Sequence, residues 1–200
     1  MAESNVAAAP KETQQSAKPT RKGSLLSRVA YSFGNAGQSA FYNALSTYFI
    51  VYVTSSLFSG VDKALATKLI GVITGLVVVI RIAEIFIDPL LGNIIDNTKT
   101  KWGRFKPWQL IGGTVSAVLL VLVYTGLFGL VNVNTTLFIV LFVITFVVLD
   151  VFYSLRDISY WGMVSALSSD PHVRNSLTSR TNLFAGIGGV IASILIPMLT

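Results

Sequence analysis

Three ionisable residues lie inside the second long apolar stretch of this chain. Arg81, Glu84 and Asp88 are three and four positions apart in a segment made mostly of Leu, Ile and Val. At about 100° per residue, this spacing places them on one face of a helix. Glu84 and Asp88 can therefore bind one cation or share one proton, and Arg81 is the charge partner expected for Glu84.

Charged groups are costly in hydrocarbon, so this face must be shielded from lipid. An Arg or Asp at the centre of a bilayer costs about 2.5–3.5 kcal/mol even on insertion-based scales. The three side chains must pair with one another or face water inside a helix bundle. Ionisable residues kept in membrane helices usually mark a path for ions or substrate, and the sequence predicts such a path here.

The composition is that of an all-α membrane protein that crosses the bilayer several times. Hydrophobic residues make up 52% of the chain, charged residues 12%, and the mean hydropathy is +0.68; soluble domains have about 25% charged residues. The chain has no Cys and one His, His172, so a disulfide framework, a thiolate metal site and a bound cofactor are not expected. The net charge of +6 does not indicate nucleic acid, because the basic residues flank apolar segments.

Five membrane helices are predicted, together with a polar tail. The tail, residues 1–24, has no apolar run and is expected to be disordered. The helices are expected at about 25–57, 67–97, 107–131, 136–167 and 179–200. An odd number of helices, ending without a polar flank, predicts the N-terminal part of a longer protein.

The basic residues predict the orientation in the plasma membrane. Eleven of them lie in the tail and in or beside the second and fourth connections, whereas the first connection has only Lys63 and Lys68 and the third has none. Cytoplasmic connections carry the excess of Lys and Arg. The N-terminus is therefore expected in the cytoplasm.

Two further helices carry polar stripes. In the fourth segment, Asp150, Ser154, Asp157 and Trp161 share one face. If this helix ended at Leu155 instead, Asp157 would be an ordinary interfacial charge. The first segment carries a neutral stripe of Asn35, Gln38, Ser39, Tyr42 and Ser46.

These stripes predict a polar cavity that suits a sugar. Carboxylates, amides and hydroxyls form hydrogen bonds with sugar hydroxyls, and an aromatic ring such as Tyr42 or Trp161 can stack on a pyranose. Trp161 could instead be an interfacial anchor. Small residues at four-residue spacing, Gly71 with Gly75 and Ala185 with Gly189 and Ser193, predict close helix packing.

The motifs around these residues resemble the glycoside–pentoside–hexuronide cation symporters. The specific stretches are residues 81–96 (RIAEIFIDPLLGNIID) and residues 101–108 (KWGRFKPW), with further matches at 31–37 and 157–161. Residues 41–50 and 151–157 are most similar to the lactose/galactoside permeases of that family. The resemblance extends from about residue 25 to residue 200.

The resemblance implies a major-facilitator fold, with twelve helices in two bundles and alternating access to a central sugar site. The five helices here would belong to the first bundle, and the second half of the transporter would be missing. By this resemblance Glu84, Asp88 and Ser154 serve cation coupling. Sugar contacts would be Gln38, Ser39, Asp157, Trp161 and Arg180, and the connection around Asp96 and Arg104 would be a cytoplasmic gate.

Two positions depart from the family pattern. Sodium-coupled relatives often carry an amide between the two acids, where this chain has Ile87, which offers no oxygen. Galactoside permeases often carry an Asp where Ser39 stands, which leaves the identity of the sugar open. Because Ile87 offers no oxygen ligand for sodium, the sequence favours coupling to a proton over sodium.

The leading hypothesis is a symporter that imports a glycoside, with a galactose-containing di- or oligosaccharide favoured. The alternatives on the same fold are a sugar exchanger or facilitator, or a transporter of an amphiphile such as a lysolipid. A membrane enzyme is disfavoured, because the chain lacks Cys and has one His. A purely structural membrane protein would not need three ionisable residues on one stripe.

Overall fold

The computed structural model describes residues 25–167 and 170–199, and every regular element in that part of the chain is helical. The elements are α1 (Leu25–Asn43), a π-helical turn (Ala44–Tyr48), α2 (Phe49–Ser55), α3 (Lys63–Asn97), α4 (Lys106–Tyr124), α5 (Gly126–Gly129), a 3₁₀ turn (Leu130–Asn132), α6 (Thr135–Leu167) and α7 (Pro171–Leu199). The predicted tail, residues 1–24, and the last residue of the predicted fifth helix lie outside the described residues.

Four of these helices are long and apolar enough to cross a membrane. They are α3, α4, α6 and the part of α7 at Pro171–Ile196. The first predicted segment differs, because a π-helical turn interrupts it and buried polar residues such as Asn35 and Gln38 lower its hydropathy. Its pieces still follow one another directly from residue 25 to residue 55. The predicted all-α membrane fold is confirmed.

Capping side chains set two helix starts earlier than apolar periodicity indicated. The helix α3 begins at Lys63 rather than near residue 67, because the Asp62 carboxylate accepts hydrogen bonds from the backbone nitrogens of Ala64 (3.0 Å) and Leu65 (3.2 Å). The helix α7 begins at Pro171 rather than near residue 179. Proline suits the first helical position, and Asp170 accepts from the nitrogen of His172 at 2.9 Å.

The helix α4 ends at Tyr124, seven residues before the predicted end. Leu127 and Phe128 adopt left-handed backbone angles, with φ of 50° and 58°, between two glycines that also have positive φ. A right-handed helix cannot continue through this conformation. The helix α3, by contrast, runs through Pro89 to Asn97 without ending, although proline cannot donate a hydrogen bond to the preceding turn.

The helix α6 is the centre of the described bundle, and it packs against α3, α4 and α7. Its Phe138, Phe142 and Phe146 recur at four-residue spacing, are almost fully buried and face the C-terminal half of the first segment. The ring of Phe49 on α2 lies 4.8 Å from that of Phe146 and 6.2 Å from that of Phe142. Aromatic packing therefore fixes α2 against α6.

Two glycines allow the closest helix contacts. A Cβ at Gly112 of α4 would lie 2.6 Å from the backbone oxygen of Phe152 on α6, and one at Gly188 of α7 would collide with the backbone of Ala36 on α1. The predicted packing residue Gly189 does lie near α1, at Ser39. Gly71 and Gly75 instead have no neighbouring element within 4 Å in the described part of the chain.

Two tyrosines join α1 to α6 reciprocally. The Tyr31 hydroxyl donates to the backbone oxygen of Tyr160 at 2.6 Å, and the Tyr160 hydroxyl donates to the backbone oxygen of Tyr31 at 2.8 Å. Their rings stack with centroids 4.4 Å apart. This contact fixes the polar stripe of α1 beside that of α6.

Candidate functional site

The predicted charge pair on α3 is present. Arg81 Nη1 lies 2.6 Å from Glu84 Oε1, one helical turn away, and donates a hydrogen bond to it. The two side chains are only 36% and 19% exposed. A short, partly buried contact of this kind is a charge-assisted hydrogen bond, which is stronger than a solvent-exposed ion pair.

A second acid, on another helix, shares the same guanidinium. Arg81 Nη2 lies 3.7 Å from Asp150 Oδ1 on α6, and Asp150 is 3% exposed. The sequence placed Asp150 on the polar face of its helix but did not identify it as a site residue. Its partner could not be identified, because the register between α3 and α6 is not written in either segment alone.

Asp88 faces α6 at the position of Ser154. The Ser154 side chain is buried and interacts with the Asp88 carboxylate. Asp88 Oδ1 is buried and has no hydrogen-bond partner among the described residues. Glu84, Asp88 and Asp150 therefore set three carboxylates against one guanidinium, so this cluster has more acidic than basic side chains.

The sugar-site prediction brings α1 and α6 together at Gln38 and Asp157. The Gln38 amide nitrogen donates a hydrogen bond to Asp157 Oδ1, and Gln38 is 4% exposed. Gln38 Oε1 has no partner in the described part of the chain. Trp161, one turn beyond Asp157, interacts with its carboxylate and remains 39% exposed. An amide, a carboxylate and an accessible ring thus lie side by side.

The other predicted sugar contacts are placed less tightly. Tyr42 is 47% exposed, and its ring lies 6.2 Å from that of Tyr153 on α6. Ser39 faces α7 near Gly189. Arg180 is exposed and lines a small cavity with Arg28 at the start of α1, away from the contacts of Asp157. The roles of these residues stay predictions.

The predicted gate residues also meet. Arg104 Nη1 lies 3.2 Å from Asp96 Oδ1, and the Arg104 guanidinium sits 4.6 Å from the centroid of the Phe105 ring. Both charged side chains are about half exposed. Trp108 Nε1 donates to the Thr98 hydroxyl at 2.9 Å, which fixes the connection between α3 and α4.

A large cavity is adjacent to this site rather than inside it. It has a volume of about 650 Å³ and lies between α1, α4 and α6, where its lining includes Tyr31, Lys106, Arg156 and Tyr160. None of the residues predicted to bind sugar lines it. In the described residues no group of three or more His, Cys, Asp or Glu side chains has an arrangement that could hold a metal ion.

Fold and site together define a multi-pass helical membrane protein with a partly buried ion-pair cluster beside a polar patch. The model of the family described as MFS/sugar transport protein matches residues 30–200. The chain belongs to this family. Its members are membrane transporters, so the prediction that the chain is not an enzyme and the predicted family resemblance are both confirmed.

Three named relatives are similar to most of this chain. The chain is 52% identical over 180 residues to a lactose permease of Leuconostoc lactis, covering 90% of this chain, and 53% identical over 178 residues to a lactose permease of Lactobacillus helveticus, covering 88%. It is 40% identical over 169 residues to a raffinose carrier protein of Pediococcus pentosaceus, covering 84%. The chain spans only 28%, 28% and 26% of these three relatives, respectively.

Proposed function

We propose that this chain is the N-terminal part of a longer secondary transporter, which imports a galactose-containing di- or oligosaccharide together with a proton. The observation that carries the proposal is the cluster of Arg81, Glu84, Asp88 and Asp150, held between two membrane helices. Similarity to two lactose permeases and a raffinose carrier supports the sugar class, because both named sugars contain galactose.

The proton enters at the acids of α3. Protonation of Glu84 or Asp88 removes one negative charge from a cluster that holds three carboxylates and one guanidinium. Sodium is the weaker alternative, since it requires several oxygen ligands and Ile87 supplies none between the two acids. The proton therefore acts as the ion whose gradient drives accumulation.

The sugar binds next to this cluster, at the contact between α1 and α6. Asp157 accepts hydrogen bonds from sugar hydroxyls, Gln38 offers its unpaired oxygen, and Trp161 stacks on the ring. Ser154 and Asp157 lie one turn apart on α6, so a shift of this helix moves the proton site and the sugar site together. Binding of both ligands then allows the gate at Asp96 and Arg104 to open.

The test is uptake by the full-length transporter in proteoliposomes. Lactose, raffinose and melibiose are compared with sucrose and with a lysophospholipid, each with a pH gradient, a sodium gradient or neither. We expect galactosides alone to accumulate, and only with the pH gradient. Accumulation driven by the sodium gradient would show that sodium, not a proton, is the coupling ion. Equilibration without accumulation would show that the protein is a facilitator and not a symporter. Transport of the lysophospholipid would show that the substrate is an amphiphile and not a sugar.

The orientation is tested on the same protein. We expect the N-terminus and the connection between α3 and α4 to face the cytoplasm, because they carry most of the basic residues. Single cysteines at Lys63 and Lys101, in a background without other cysteines, are labelled with a membrane-impermeant thiol reagent in intact cells. Labelling at position 63 alone supports the orientation, and labelling at position 101 alone reverses it.

A further inference from the structure

Asp150 is a buried acid that has no role of its own in the proposed symport cycle. It lies on α6, is 3% exposed, and its Oδ1 atom has no hydrogen-bond partner among the described residues. Its nearest counter-charge is Arg81 Nη2, at 3.7 Å on the neighbouring helix α3. An ionised carboxylate that is buried this far from water is unfavourable unless a charge partner compensates it. Arg81 is the residue that provides this compensation for Asp150.

One guanidinium serves two acids through two different nitrogens. Arg81 uses Nη1 toward Glu84 at 2.6 Å and Nη2 toward Asp150 at 3.7 Å. The shorter contact lies within α3, and the longer one crosses to α6. A small side-chain movement can therefore exchange the strong contact for the weak one without breaking either helix.

The charged groups that act on Asp150 come from the neighbouring helix α3. They are Arg81, Glu84 and Asp88, and Arg81 is in turn faced by Tyr42 of α1 and Tyr153 of α6. The carboxylates of Glu84 and Asp150 lie beside each other. Two ionised carboxylates at short range repel, and among the described residues Arg81 is the cation that contacts both of them.

We propose that Asp150 is a positioning residue for coupling: it is the second acceptor for Arg81, which moves from Glu84 to Asp150 when Glu84 takes up a proton. The inference rests on the proposed function. The incoming proton converts the Glu84 carboxylate to a carboxylic acid, and the guanidinium keeps its own proton throughout. Without Asp150, the released guanidinium would have no other carboxylate within 4 Å among the described residues.

This exchange connects the proton site to the sugar site. Asp150, Ser154 and Asp157 lie at four- and three-residue spacing on one face of α6, so they move together. When Arg81 tightens onto Asp150, the contact between α3 and α6 strengthens on the face that carries Asp157. Proton uptake on α3 thereby changes the position of α6, the helix that binds sugar.

The test compares Asp150→Asn and Asp150→Glu in the full-length transporter, with Asp62→Asn as the matched control. Asn keeps the size of Asp but cannot accept the charge, and Asp62 is a capping residue outside the apolar core whose function Asn can fill. The readouts are sugar-dependent proton uptake, lactose counterflow without a gradient, and the pH midpoint of lactose affinity.

For Asp150→Asn we expect proton uptake to fall about tenfold or more while counterflow persists. The pH midpoint of lactose affinity should move to lower pH by about one unit, because Arg81 then has no second acceptor on α6 and stays on Glu84. Asp150→Glu should restore the midpoint. A purely structural contact would lower the amount of folded protein without moving the midpoint, so an unchanged midpoint in Asp150→Asn overturns the proposal.

A comparison of Arg81→Gln with the double variant Arg81→Gln/Asp150→Asn keeps the test decisive if Asp150→Asn alone fails to insert. The variant Arg81→Gln/Asp150→Asn leaves no unpaired charge in this pair, and we expect its midpoint to equal that of Arg81→Gln alone. A further shift in the double variant would show that Asp150 does not act through Arg81. If the unsubstituted transporter itself moves no protons with sugar, the proposed function fails first; if it does and the double variant shows that further shift, only this inference fails.

Discussion

The side-chain amide of Gln38 on α1 donates a hydrogen bond to Asp157 on α6, so the two polar stripes meet at one buried contact. This contact holds the Asp157 carboxylate beside Trp161, and it leaves Gln38 Oε1 unpaired. Both features suit a ligand that is rich in hydroxyl groups. The contact therefore marks where the sugar is expected to bind.

Asp157→Asn should weaken lactose binding about tenfold or more, because a neutral amide replaces a charged acceptor, which is worth about 1.5–3 kcal/mol. The dissociation constant is measured by titration calorimetry on the purified full-length transporter. Asp62→Asn, which removes a carboxylate outside the membrane, should leave the constant unchanged. An unaltered affinity in Asp157→Asn would move the sugar site elsewhere.

Glu84→Gln and Asp88→Asn should each abolish accumulation of lactose against its gradient while counterflow continues. Both substitutions remove a proton acceptor from the cluster around Arg81 and keep the size of the side chain. Accumulation and counterflow are measured in the same vesicles, with transporter amounts matched. Normal accumulation in both variants would show that these acids do not carry the coupling ion.

Much of this site could be predicted from periodicity within single helices. The pair Arg81–Glu84 follows from three-residue spacing, and the shared faces of α3 and α6 follow from helical geometry. The cross-helix contacts could not be predicted, because they depend on how far one helix slides along another. Asp150 is the main example, because its contact with Arg81 depends on the register between α6 and α3.

The helix ends could likewise be predicted only in part. Apolar periodicity found the membrane-crossing part of each long helix but not the polar turns beyond it, such as the start of α7 at Pro171. The left-handed turn at Leu127 and Phe128 could not be predicted, because non-glycine residues rarely adopt positive φ. Local caps and turns, rather than hydrophobicity, determine these boundaries.

Gly112→Ala should destabilise the bundle by about 1–3 kcal/mol, because its Cβ would lie 2.6 Å from a backbone oxygen that cannot rotate away. Thermal unfolding in detergent measures the effect. Gly75→Ala is the matched control, since its Cβ meets nothing within 4 Å in the described residues. Equal melting temperatures for the two variants would contradict the close contact between α4 and α6.

Tyr31→Phe should cost about 1 kcal/mol of stability, because it removes one of the two reciprocal hydrogen bonds to Tyr160 and leaves a buried backbone oxygen without that donor. The double variant with Tyr160→Phe should be less destabilised than the sum of the single variants, because each hydrogen bond helps to hold the geometry of the other. Strict additivity of the two changes would show that the bonds do not act as a pair.

Asp96→Asn should leave the melting temperature nearly unchanged, because its ion pair with Arg104 is half exposed and such pairs contribute about 0–1 kcal/mol. The rate of lactose transport should change instead, if this connection is the gate. Initial rates and melting temperatures are compared in one preparation. A large loss of stability with an unaltered rate would assign the pair a structural role.

The most direct measurement is the uptake of protons on addition of lactose to vesicles that contain the full-length transporter, with and without Glu84→Gln. We predict that lactose causes proton entry through the unsubstituted protein, and that the substitution removes this entry while lactose still exchanges. Proton entry of equal size in both proteins, or none in the unsubstituted protein, would contradict coupling through the acids on α3.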